Sequence, residues 1–177
     1  MTKNTNDTFN PCAHLVGDSK EIGEFLESVK GEDALTFILT NQAKFQSFLE
    51  QREDWNKPSF DPNTPKTCGE ILTMLKYCKE HFDREYFELE DAMGGMSNGA
   101  KNASTIAKPW KKDFLKYFNK PYSEMSESDV AEIEMEVIDM FHFFAMMMVA
   151  LGMDSDKVKY LYAKKNLENF NRQERGY

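Results

Sequence analysis

Two pairs of carboxylates carry the most chemistry in this chain. Glu136 and Asp139 stand three residues apart in "EIEMEVIDMFHFF" (132–144), and Glu85 with Glu88 repeats the interval in "EYFE" (85–88). On a helix such a pair lies one turn apart, a rise of roughly 4.5 Å, which suits two carboxylates gripping one hard divalent cation. Glu132 extends the series to i, i+4 and i+7, so Glu132, Glu136 and Asp139 share a face. Two such pairs on facing helices give four carboxylates for one or two Mg²⁺ ions. The competing reading is a solvated acidic face, which is common in acidic helical proteins. Against it stand Val137, Ile138, Met140 and Phe141, which wrap most of the helix in apolar surface. Ionised carboxylates beside such residues need a partner, because desolvating them is costly. Spacing alone leaves both readings open.

Other chemistries find less support. A carboxylate-bridged di-iron bundle needs Glu three residues before His, and none of His14, His81 or His142 has one. His142 reads as a satisfied core histidine or as one supporting Asp139. The stretch "GGMSNG" (94–99) lacks the Lys-Ser/Thr ending of a phosphate loop. No nucleophilic Ser or Cys arrangement is legible. Lysines flank Trp110 at Lys108, Lys111 and Lys112, and Lys164, Lys165, Arg172 and Arg175 gather near the end of the chain. Ordinary surface charge is one reading of both groups. Clamping a polyphosphate held from its other side by metal ions is the alternative.

Helices must position these groups. Ile22, Phe25, Leu26 and Val29 recur at helical spacing over 19–29, and Leu35 to Leu49 repeat the pattern after Asp33, a plausible N-cap. Three prolines make 56–67 a loop. Helix resumes over 68–93, with Thr67 and Glu70 in the capping-box arrangement. The stretch 94–104 breaks it, and Pro109 predicts a helix start over 109–119. The pattern then predicts the longest helix over 126–153, ending near Gly152, and a final helix over 154–173. No alternating strand pattern is visible, so the expected fold class is an all-α bundle. Fourteen Phe and eleven Met point the same way.

At 177 residues the chain is most economically one domain, 1–177. A net charge of −8 argues against a broad nucleic-acid-binding surface. The most apolar segment, 140–153, is too short to span a bilayer, so no membrane role is expected. Cys12, Cys68 and Cys78 form no paired framework, which suggests a reducing cytoplasm.

Taken together, "EYFE" (85–88), "EVIDMFHFF" (136–144) and "KKNLENFNRQERGY" (164–177) resemble the dimeric all-α dUTPase and dCTPase family, a branch of the all-α NTP pyrophosphatases. The likeness is closest to its T-even-type bacteriophage members, where "NPCAHL" (10–15) and "EMS" (124–126) also have counterparts. It runs over nearly the whole chain. The resemblance implies Mg²⁺ ligands at Glu85, Glu88, Glu136 and Asp139; among them Glu85, which would take the proton of the attacking water, and Glu136 are the expected catalytic carboxylates. It also implies substrate contacts from Lys108, Trp110 and Lys111, and from Lys165, Asn166, Asn169, Arg172 and Tyr177. Ala107 stands where the family often has a second Trp. Gln42 matches the family's pyrimidine-reading Gln, and Gln46 replaces an Asn four residues later. An amide both donates and accepts, so Gln46 fits a relaxed dUTP and dCTP specificity.

The implied activity is hydrolysis of dCTP and dUTP, and of their diphosphates, to dCMP and dUMP, with pyrophosphate released from the triphosphates. Water would attack the α-phosphorus in a Mg²⁺-dependent step. A homodimer, nucleotide-pool control in the cytoplasm of a phage-infected host, and membership of a phage nucleotide-synthesis complex follow from the same resemblance. A strict dUTPase or another house-cleaning pyrophosphatase is the nearest rival. A non-enzymatic helical interaction protein is the more distant one.

Overall fold

The structure is a computed structural model and describes residues 19–54, 57–64 and 66–176. These contain six α-helices and no strand: α1 (Ser19–Ser28), α2 (Ala34–Glu50), α3 (Cys68–Met93), α4 (Phe114–Phe118), α5 (Glu127–Ala150) and α6 (Ser155–Glu174). Two short 3-10 turns, Ala103–Ala107 and Tyr122–Glu124, complete the set. The chain is all-α, as its periodicity predicts.

Local side-chain chemistry sets most of the helix ends. Asp33 accepts from the Thr36 amide at 3.1 Å and starts α2. Thr67 and Glu70 close a reciprocal capping box on α3: the Thr67 amide donates to Glu70 Oε2 at 2.7 Å, and the Glu70 amide to Thr67 Oγ1 at 3.2 Å. Ser126 takes the Asp129 amide at 3.2 Å ahead of α5, and Asp154 takes the Lys157 amide at 2.8 Å ahead of α6. Gly152, at φ +65°, ends α5 in a left-handed cap, with the Met153 amide reaching back to the Met148 carbonyl at 3.0 Å.

Two expectations need correction. The helix predicted over 109–119 is only Phe114–Phe118. Residues 108–113 instead make successive turns, Lys111 N to Lys108 O at 2.9 Å and Phe114 N to Lys111 O at 3.1 Å, continuing the tighter winding of Ala103–Ala107. The longest helix is α3, with 26 residues against 24 in α5. Helix α3 keeps the bounds 68–93 expected for it, whereas α5 starts only after the Ser126 cap and stops at Ala150, short of the left-handed Gly152, and so falls short of 126–153 at both ends.

The chain divides into two compact units, with the divisions falling inside α1, α3 and α5. One unit comprises residues 19–25 and 79–143. Its buried residues include Ala92, Ala103 and Ile133, but also Asp129, Glu132 and Glu136. The other comprises residues 26–78 and 144–176. Leu39, Leu49, Phe60, Met74 and Cys78 are buried there, with Ala145, Met146, Met148, Val149 and Ala150 from the end of α5. Thr36 and Ser155 bond across α2 and α6 at 2.7 Å.

Candidate active site

An acidic centre lies in the unit that holds residues 79–143. Helix α5 buries Glu132 and Glu136, at 1% and 2% exposure, and leaves Asp139 half-buried. These positions follow the helical repeat, so one stripe of α5 carries acid inward while Val137 and Ile138 on other faces are exposed. Glu85, half-buried on α3, joins them: one oxygen each from Glu85, Glu136 and Asp139 lies within 4.8 Å of the others. Glu88 is exposed and stands outside that trio, yet among neighbouring charges its carboxylate acts most strongly on Glu136.

The electrostatics follow from this crowding. Burial, then the charges of Glu88, Glu85, Asp139 and Glu132, push the Glu136 carboxyl up to about 8. Burial also raises Glu85, helped by Glu88 and Asp139, while Arg84 opposes the rise. Gathered carboxyls of this kind either hold protons or hold a cation. Two oxygens bound to one Mg²⁺ lie at most about 4.2 Å apart, so a 4.8 Å spread closes on such an ion by side-chain rotation. The donor set is all oxygen, with no thiol, which suits a hard divalent ion. The residues therefore fit the metal that the pattern implies.

His142 is exposed, not part of the core, and its Nδ1 lies 3.8 Å from Asp139 Oδ1. His81 stacks on Phe143, ring centroids 5.3 Å apart. Neither imidazole belongs to the trio of oxygens.

Two further acids are buried: Asp129, which sequence spacing did not single out, and Glu132, which it placed on the acidic face of α5 but not among the metal ligands. Asp129, with 0% exposure, is the anchor of the glycine-rich turn. It accepts from Ser97 Oγ, from the Asn98 amide at 3.2 Å and Asn98 Nδ2 at 2.7 Å, and from Ser126 Oγ at 2.7 Å. Burial alone would raise its pKa, but the bonds from Ser97, Ser126 and Asn98 prevail and hold it below the ordinary value. Thus "GGMSNG" is a structural tie to the start of α5. Gly94 packs so close to Ala103 that an added Cβ would sit 2.0 Å from its carbonyl oxygen. Glu132 is the second acid, and its i, i+4 relation to Glu136 was the available signal.

The remaining sequence-derived residues fall in three places. Lys108 and Lys111 line a small concavity of the same unit as the acids, together with Lys112, while Trp110 is 74% exposed. Gln42 and Gln46 lie on the buried face of α2 in the other unit. Gln46 is only 1% exposed, and among the described residues neither its Oε1 nor its Nε2 has a hydrogen-bond partner. Lys165, Asn166 and Asn169 are exposed on α6, where Arg172 pairs with Glu168 at 3.5 Å. Tyr177 lies outside the described residues, as do Cys12 and His14.

An all-α scaffold on which two helices bring three carboxylates together is of the helical class whose acidic centres fit a hard divalent cation. A family model described as dUTPase matches residues 95–177. The dCTP pyrophosphatase of Enterobacteria phage LZ5 is 39% identical over 171 residues, covering 96% of this chain and 98% of that protein. The dCTP pyrophosphatase of Enterobacteria phage T4 is 36% identical over the same shares. A DNA replication protein of phage T4 is 34% identical over 160 residues, 89% of this chain but 40% of that protein. No solved structure matches the chain significantly. The chain belongs to the dCTP pyrophosphatase family of all-α pyrophosphatases.

Proposed function

We propose that this chain hydrolyses dCTP and dUTP, and the corresponding diphosphates, to dCMP and dUMP, releasing pyrophosphate from the triphosphates. The observation that carries the reading is the convergence of Glu85, Glu136 and Asp139 oxygens within 4.8 Å, from two helices, in a chain whose relatives are named dCTP pyrophosphatase.

Glu85, Glu88, Glu136 and Asp139 would hold Mg²⁺. When bound, that ion supplies charge neutralisation at the phosphates and acidifies a water. Glu85 accepts the proton of the attacking water at a carboxylate oxygen. Its half-buried place beside Glu136 and Asp139 supports that role, since their oxygens lie within 4.8 Å of its own. Glu136 is the acid most crowded by like charge, so it gains most from a cation. Lys108, Lys111 and Arg172 offset charge on the polyphosphate, with Trp110, Lys165, Asn166, Asn169 and Tyr177 as further contacts. Gln42 and Gln46 read the pyrimidine. A buried amide lacking a partner costs about 1–3 kcal/mol, and a base edge offering both donor and acceptor offsets it. Because the amide turns, Gln46 serves uracil's carbonyl and cytosine's amino group alike.

We read residues 1–177 as one pyrophosphatase domain, since the relatives align over 96% of the chain. Helix α6 buries no residue and exposes Tyr160, Leu161, Tyr162, Leu167 and Phe170, which supports a homodimer. The relatives' phage origin supports nucleotide-pool control in the host cytoplasm, and membership of a complex of nucleotide-synthesising proteins belongs to the same proposal. No single described helix is long and apolar enough to cross a membrane.

The test is ion-exchange analysis of products after incubation with dCTP, dUTP, dTTP and dATP, in Mg²⁺ and in EDTA. Mg²⁺-dependent dCMP and dUMP with pyrophosphate are expected. Turnover of dUTP alone would leave a strict dUTPase, and turnover of none would leave an acidic helical bundle.

A further inference from the structure

The lysines around Trp110 form a pocket of their own. Successive turns at 108–111 and 111–114 bring Lys108 and Lys111 to the same side of the chain, one tight turn apart. With Lys112, Asn102, Ser104 and Asp113 they line a concavity of about 260 Å³. That is below the roughly 300–1,000 Å³ typical of drug-sized ligands, so it suits a small ion better than a nucleoside. Lys108 is half-buried, and its Nζ donates to Ser104 Oγ at 2.9 Å, which fixes one ammonium group in the wall. Lys111 and Lys112 are exposed at the rim. Asp113 shares the lining, and Asp91 lies close enough for the Lys108 charge to act on it. Lysines still outnumber carboxylates here, in a chain whose net charge is −8. Converging ammonium groups with a hydroxyl and an amide recognise a compact, multiply charged oxyanion.

The geometry points to a metal-independent pyrophosphate site in this concavity, with Lys112 and Ser104 as working members alongside Lys108 and Lys111. The inference rests on the pyrophosphate-releasing activity proposed above. It adds that the leaving group has a holding site of its own, so free pyrophosphate binds and inhibits without Mg²⁺.

Calorimetric titration of the full chain with sodium pyrophosphate in EDTA tests this. Binding is expected, weakened at least tenfold by the double change Lys111→Gln and Lys112→Gln, and unaltered by Glu136→Gln, whose carboxylate lies in the acidic centre. Both lysines are exposed, and an unchanged melting curve would show that the double variant is folded. Absence of binding in EDTA, equal binding by the lysine variant, or equal affinity for sulfate would each overturn the site. Turnover of dCTP is measured on the same preparation. A chain that turns over dCTP yet ignores pyrophosphate in EDTA refutes this inference alone. A chain that binds pyrophosphate without turning over any nucleotide keeps the site and loses the proposed activity.

Discussion

Glu85 on α3 and Glu136 on α5 place carboxylate oxygens within 4.8 Å of each other, although they stand far apart in the chain. The Glu85 charge is one of those that raise Glu136 to about 8. Two acids brought this close repel each other unless a proton or a cation intervenes. The relationship is what converts two common helical spacings into a candidate metal centre.

Replacing Glu136 by Gln keeps the size of the side chain and removes the charge. Turnover of dCTP should fall by more than about 100-fold, beyond the loss typical of groups that merely support a metal ligand. Helicity by circular dichroism should stay unchanged, and the Mg²⁺-induced rise in melting temperature should disappear. Near-normal turnover in this variant would remove Glu136 from the reaction.

The same crowding sets a pH dependence. Glu136 binds its proton more tightly folded than unfolded, where the value is 4.5. Its stabilising contribution is therefore complete below about pH 4.5 and is lost as pH rises through about 8. Glu85, also raised, acts in the same direction. In EDTA the melting temperature should fall between pH 5.5 and 8, and Glu136→Gln should flatten that fall. Because a cation binds the deprotonated carboxylates, Mg²⁺ should raise the melting temperature more at pH 8 than at pH 5.5. A metal response that is equal at both values would count against the centre.

Gln46→Leu separates recognition from packing. The change replaces a buried amide that lacks a protein partner among the described residues, so stability should hold or rise slightly. If the amide reads the base, kcat/KM for dCTP and dUTP should drop on the order of 10–100-fold, mainly through KM. Unchanged kinetics with raised stability would make Gln46 a core residue and nothing more.

Much of the fold was legible because its determinants are local. Asp33 with Thr36, and Thr67 with Glu70, lie three residues apart, and their caps form as their residue types require. The acidic stripe was visible for the same reason, since Glu132, Glu136 and Asp139 need only the helical repeat to share a face. Convergence of α5 with Glu85 was not visible from spacing, which says nothing of which helices meet. The role of Asp129 was hidden too, because its partners Ser97 and Asn98 are more than 30 residues away. Pro109 misled for a physical reason. Proline fits a helix's first turn and equally fits the turns that follow a 3-10 segment, and here the Lys108 carbonyl takes the Lys111 amide at 2.9 Å.

Asp129→Ala tests that hidden tie. Loss of a fully buried carboxylate strips partners from Ser97, Asn98 and Ser126 and should destabilise the chain by about 3 kcal/mol in urea unfolding. The glycine-rich turn should then become accessible to protease. Asn at this position keeps some of the bonds and should cost less. Equal loss in both variants would show that charge, and not the bonding pattern, holds the turn.

In the proposed reaction the carboxylate centre directs water to the α-phosphorus of a pyrimidine deoxynucleotide. Hydrolysis of dCTP in ¹⁸O-labelled water with Mg²⁺, read by mass spectrometry, tests it most directly. The expected result is label in dCMP and none in pyrophosphate, with both products lost in Glu136→Gln. Label in pyrophosphate or orthophosphate, or undiminished labelling of dCMP by the variant, would contradict it.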